Sequence, residues 1–236
     1  SLEYGVKSDD PVKANLAIQT LIRMDAVEAS SLLMEVFPEK DRESQRAIID
    51  ALVNIADAQS EPFFLELLDS SEDGHVLKGA IAFLSGDHRC DEAGERVFAL
   101  LQHPYDDVKE VALEGCIRLA CDDMVERFRE LFQSEDPLSR MMAIYALGKM
   151  GATSFKEEMQ LALEDPIPDI RKVALEALAD ICEASEENLD LVVRRLSDEY
   201  AEVRLTAVTL LGGCSDKAVT PHLLAAMDDQ DDWVRI

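Results

Sequence analysis

Three groups of residues in this 236-residue chain have types and spacing that could do chemistry. Asp69, Ser71, Asp73 and Gly74 fall at the first, third, fifth and sixth places of a calcium-binding loop, where oxygen ligands and a sharp glycine turn wrap the ion. The twelfth place needs a bidentate carboxylate and holds Ala80 instead. A capped turn between two helices accounts for the same residues, so a metal site is not expected. Five cysteines (Cys90, Cys116, Cys121, Cys182 and Cys214) contain no C-x-x-C pair. Cys116, Cys121, Cys182 and Cys214 are expected to pack as small hydrophobes. Cys90 lies in a loop between acidic stretches and is expected to be exposed, with its thiolate disfavoured by the neighbouring carboxylates. The chain carries no G-x-S-x-G, no phosphate-cradling glycine loop and no H-E-x-x-H, so no catalytic residue and no cofactor is expected.

The third group is a recurring acidic residue shortly before a basic one: Asp107 with Lys109, Asp136 with Arg140, Asp169 with Arg171, Glu202 with Arg204, and Asp232 with Arg235. A contact repeated along the whole chain suits a structural ladder better than a single site. Carboxylates at helix starts also favour the helix dipole.

The elements that position these residues follow from periodicity. Leu21, Leu52, Leu84, Cys116, Leu147, Leu178 and Leu211 anchor one template, with successive spacings of 31, 32, 32, 31, 31 and 33 residues. A second column, Phe37, Leu68, Leu101, Phe132, Leu163 and Leu196, keeps step 15 or 16 residues before the anchors, and Met227 continues it. Each period holds two helical segments. Ile170, Ala174, Ala177, Leu178 and Ile181 mark the apolar face of a second helix, and Leu189, Val192, Val193 and Leu196 that of a first helix. A two-helix unit of this size must stack on its neighbours to bury that face. The expectation is one all-α repeat series over residues 1–236, incomplete at both ends. The chain starts without Met and stops within a repeat, so it is expected to be a segment of a longer protein.

The stretches from Asp136-Pro137 to Leu147 and from Asp169-Ile170-Arg171 to Leu178 resemble HEAT-like repeats of the phycobilisome-lyase type, with their D-P-x-x-x-V-R-x-x-A-x-x-A-L second helix. The resemblance implies a right-handed α-α superhelix of about seven hairpins, with second helices lining its concave side. Such repeats serve as adaptors, lyase subunits, DNA-repair domains and di-iron hydroxylases. The paired His-Glu dipeptides of deoxyhypusine hydroxylase-like proteins are missing, because His75, His88, His103 and His222 precede Val, Arg, Pro and Leu. The basic, aromatic-lined face of alkylpurine glycosylase-like proteins fits poorly with a formal charge of −26 and a single tryptophan. That charge repels nucleic acid, and it either serves solubility or favours a basic partner. No apolar run reaches membrane-spanning length, and reduced thiols in the cytoplasm are the expected setting.

Counting from the template position seven before each anchor (basic at Lys109, Arg140, Arg171 and Arg204), offsets of one, five and nine avoid the apolar columns and share one helical stripe. The stripe is mixed in charge although the chain is acidic. Its central part, Glu114, Arg118, Met141, Tyr145, Lys149, Lys172 and Glu176, is the expected partner-binding surface, with Met and Tyr as anchors beside Arg and Lys. The function expected is a non-enzymatic scaffold that holds a protein or peptide. The alternative is a subunit of a lyase-type enzyme that needs a partner chain or cofactor.

Overall fold

A computed structural model describes residues 2–24, 27–181 and 186–235. Cys182 and the polar segment after it lie outside the described residues. Fifteen α-helices and short 3-10 turns make up the described chain, with no strand among them. By contacts the chain divides into two compact units, residues 1–121 and 122–236.

In the first unit the hairpins are α1 (Leu2–Val6) with α2 (Pro11–Met24), α3 (Val27–Val36) with α4 (Arg42–Ile55), α5 (Glu61–Ser70) with α6 (Gly74–Leu84), and α7 (Gly94–Ala99) with α8 (Asp106–Leu119). The second unit holds α9 (Met124–Phe132) with α10 (Pro137–Lys149), α11 (Lys156–Ala162) with α12 (Pro168–Ile181), α13 (Glu186–Arg195) with α14 (Ala201–Gly212), and α15 (Thr220–Ala226). Even-numbered helices are the second helices of their repeats. Proline opens α2, α10 and α12, where the missing N–H matters least.

All seven anchors are buried. The other column is mixed: Phe37, Leu68, Leu101 and Leu163 are buried, Phe132 and Leu196 half-buried, and Met227 exposed. The face of α12 is buried as its spacing predicts, whereas Leu189, Val192 and Val193 of α13 are only half-buried. Second helices pack on second helices along each unit. At Gly148 the next helix comes close with its backbone, an added Cβ lying 2.8 Å from the Ala177 Cα of α12.

Charged side chains knit the loops of successive repeats. In the second unit Arg140 pairs with Asp165 at 3.5 Å, Arg171 with Asp198 at 2.8 Å and Arg204 with Asp229 at 2.9 Å. The next arginine in line then donates to the backbone carbonyl of that same aspartate, Arg171 to Asp165 at 2.7 Å and Arg204 to Asp198 at 2.9 Å. Each aspartate also accepts the amide two residues on, from Ile167, Tyr200 and Asp231. This is a ladder between repeats, but its carboxylates are not those expected. Asp169 and Glu202 stand two residues before their arginines on one helix, and such neighbours do not face each other. Asp136 instead caps α10 through the Ser139 amide. Of the five expected pairs, Asp232 with Arg235 does form.

Burial pushes the Asp198 carboxyl up, but the Arg171 guanidinium and the Tyr200 amide outweigh it and hold it below the usual carboxylate range. The Arg204 guanidinium holds Asp229 down in the same way. Both therefore stabilise the fold fully above the unfolded carboxylate value of about 3.9, and that stability is lost as pH falls through their depressed folded values.

Three outcomes follow for stability. Arg171→Met leaves Asp198 as a buried, uncompensated charge, costing about 3 kcal/mol, or roughly 10 °C in Tm for a chain of this size. Differential scanning calorimetry should show most of that loss recovered in Arg171→Met/Asp198→Leu. Acid titration by circular dichroism should give a shallower loss of stability below about pH 4 in the double variant than in the unaltered chain. At the helix crossing, Gly148→Ala should lower stability by about 1–3 kcal/mol through overpacking. Gly212→Ala, where a Cβ would meet nothing within 4 Å, should raise it by about 0.5–1 kcal/mol through helix propensity. Urea denaturation separates the two.

Candidate protein-interaction surface

Every position of the stripe on the even-numbered helices, from Asn15 on α2 to Gly213 after α14, stays outside the buried core. Apolar residues at the intervening positions fix which way each helix faces, so the stripe is left outward by the same periodicity that buries the anchors. Its central residues divide between the units. Glu114 and Arg118 are exposed on α8 in the first unit. In the second, α10 carries Met141 and Tyr145, both half-buried and one turn apart, and ends on exposed Lys149; α12 carries half-buried Lys172 and exposed Glu176.

In the second unit the structure gathers Tyr145, Lys149 and Asp180. The Lys149 ammonium lies 5.7 Å from the centroid of the Tyr145 ring and 2.8 Å from the Asp180 carboxylate of the next second helix. Its pKa is raised chiefly by that hydrogen bond to Asp180. In the first unit two cations of the same stripe are held likewise. Arg46, with Arg42 beside it, grips Asp73, and Lys78 meets Asp107 at 2.6 Å. Burial pushes Asp73 up, yet hydrogen bonds from Arg42, Arg46 and the Val76 and His75 amides hold it far below the ordinary carboxylate range. The stripe is therefore less basic in effect than its composition suggests. Among the described residues Arg118 and Lys172 enter no salt bridge.

This pairing was the part that sequence reasoning missed. The signal is an offset close to one repeat between cation and carboxylate: 27 residues from Arg46 to Asp73, 29 from Lys78 to Asp107, 31 from Lys149 to Asp180. Charges compared across neighbouring repeats reveal it; charges compared within one helix do not.

The residues that mimic a calcium loop have other partners. Asp73 caps α6 through the His75 and Val76 amides, Ser71 Oγ accepts the Asp73 amide, and Asp69 pairs with Arg96 at 2.9 Å. Cys90 corrects an expectation, since it is only 7% exposed. Its amide donates to the Leu84 carbonyl, which folds the loop back over the end of α6, and burial raises its thiol pKa. Cys116 is buried at its anchor; Cys121 and Cys214 are half-buried. Among the described residues no helix is long and apolar enough to cross a membrane.

Comparison with known proteins gives the fold its relatives. A mutant of Kap121p superposes with a TM-score of 0.72 at 10% identity, over 99% of this chain and 32% of that one, so the chain spans about a third of its length. An archaeal HEAT-like repeats protein from Thermococcus onnurineus NA1 gives a TM-score of 0.56 at 19% identity, over 89% of this chain and 94% of the other. The CpcE–CpcF complex of phycocyanin lyase from Nostoc sp. PCC7120 is a remoter likeness: TM-score 0.37, 17% identity, 94% and 78% covered. No curated protein sequence matches the chain. The family model for HEAT repeats matches residues 95–179 and 155–236, more than half of the chain. Repeat columns, helix order and family model agree, and the chain belongs to the HEAT-repeat family.

Proposed function

We propose that this chain is a non-enzymatic interaction scaffold that holds a protein or peptide segment against the outward stripe of its second helices. The observation that carries this reading is that no position of the stripe is buried in the core of its unit. A surface kept clear of the core is open to an external partner. Met141 and Tyr145 supply adaptable and aromatic contact area. Lys172 and Glu176 supply charge on the same unit, Arg118 and Glu114 supply it on the stripe of the first unit, and the Lys149–Asp180 pair presents one fixed hydrogen-bonded edge.

A formal charge of −26 favours approach of a basic segment within the roughly 8 Å over which charges act at physiological salt. We take the repeats to be of the phycobilisome-lyase type on their second-helix motif alone. That likeness is one of repeat type and supplies no catalytic residue. A cytoplasmic setting with reduced thiols belongs to the same proposal.

Affinity capture with the chain as bait, followed by titration of the retained partner by isothermal calorimetry, tests the reading. Tyr145→Ala should weaken binding by about 2 kcal/mol, roughly thirtyfold in Kd, and Glu176→Lys should also weaken it, by repelling a basic segment. Gln59→Ala, on the loop before α5, serves as the surface control. Equal affinity of the Tyr145 and Glu176 variants with the unaltered chain would remove the stripe as the site.

A further inference from the structure

Two loops of the second unit enclose a cavity of about 340 Å3. Glu164, Asp165 and Pro166, before α12, line it with Asp198 and Glu199, before α14, and with the side chains of Arg171 and Arg195. Both loops lie inside the series. Arg140 joins Asp165 to the loop at Ser134 and Glu135, and Arg204 joins the Asp198 loop to Asp229, so each loop has a neighbour on either side.

Three residues around the cavity break the repeat pattern. α2, α4, α6 and α10 follow Asp10, Asp41, Asp73 and Asp136, whose carboxylates accept helix amides. In their place α12 and α14 follow Ile167 and Tyr200, and neither side chain makes that cap, which costs stability. Tyr200 is also 42% exposed. One residue before the column of Phe37 and its successors, the other repeats hold Val36, Leu67, Leu100, Leu131, Ala162 and Ala226. α13 holds Arg195 there, and its Nε is buried with no acceptor among the described residues. Places where a repeat gives up packing and capping are where function is expected.

Charge indicates the occupant. Arg171 donates to both Asp198 oxygens and to the Asp165 carbonyl. Arg195 donates to the Leu163 carbonyl and to Glu164. The lining holds four carboxylates against these two engaged guanidiniums. Glu164 and Glu199 remain 72% and 76% exposed, and Glu199 lies 3.9 Å from Arg171. Asp169 and Glu202 add exposed carboxylates in the first turns of α12 and α14. The Tyr200 ring centroid lies 5.4 Å from the Arg171 guanidinium. We propose that this cavity receives lysine or arginine side chains from a basic segment of another protein. The aliphatic stem lies along Tyr200 and Pro166, and the charge reaches Glu164 and Glu199. The cavity shares no residue with the stripe on the second helices, so this surface stands independently of that one.

A fluorescein-labelled peptide of alternating lysine and serine, followed by fluorescence anisotropy, tests this, with alternating glutamate and serine as the counter-probe. The lysine peptide should bind and the glutamate peptide should not. Glu199→Lys should weaken the lysine peptide roughly tenfold. Tyr200→Ser should weaken it as well, while Tyr200→Phe, which keeps the ring, should not. Glu157→Lys makes the same charge change on the exposed side of α11 and should alter binding little, because salt screens a distant charge. All three positions are exposed, serine is a favoured helix cap, and circular dichroism verifies that each variant folds. Failure of the lysine peptide to bind, equal binding of both peptides, equal losses for Glu199→Lys and Glu157→Lys, or full binding by Tyr200→Ser overturns the proposal.

Discussion

A hairpin of two short helices has one apolar side and nothing of its own to cover it, and this constraint shapes the chain from end to end. Each second helix buries its anchor against its own first helix and against neighbouring repeats. The anchor spacing of 31 to 33 residues is therefore held by packing, because a shift of one residue would turn every apolar side chain about 100° around its helix. The close approach at Gly148 is the same constraint at atomic scale: the helices lie so near each other that a side chain on one must be absent for the next to fit.

Stacking creates a second requirement at the loops, where helix starts bring backbone carbonyls and amides together in partly buried space. The arginines of the second unit meet it. One guanidinium donates to the carbonyl of its own loop and to the carboxylate of the next, so each loop aspartate is joined to two arginines, by its side chain to one and by its backbone to the other. Lysine would supply charge without this fork. In the first unit the carboxylate moves to the helix cap. Asp73 caps α6 while two arginines of α4 reach across to it. Two arrangements satisfy one need, which is a partner for the carboxylates drawn in between repeats.

Packing was legible in the sequence because it repeats. Seven anchors in register can be counted, and all seven are buried. The direction of the stripe followed from the same count. Partners of charged side chains were not legible by that route, because a local acid-base pair such as Asp169 with Arg171 is conspicuous and wrong, while Arg171 with Asp198 is separated by 27 residues. Cys90 was misjudged for a related reason. Its loop is polar in composition, but a single backbone bond to Leu84 folds it onto the end of α6. Loop composition predicts hydration, and a long-range hydrogen bond overrides it.

The acidity of the surface then follows from the fold. The chain has 23 Lys and Arg against 49 Asp and Glu, and its most buried cations, Arg171 and Arg204, lie in the ladder. Arg46, Lys78 and Lys149 bind neighbouring repeats from the stripe itself. What faces water is mostly the carboxylates these cations do not reach. Each joint between repeats takes one cation and one carboxylate, so the excess of carboxylates in the composition remains on the exterior. Against that field the second helices of the second unit set the half-buried Met141 and Tyr145 and the half-buried cation Lys172, which enters no salt bridge among the described residues.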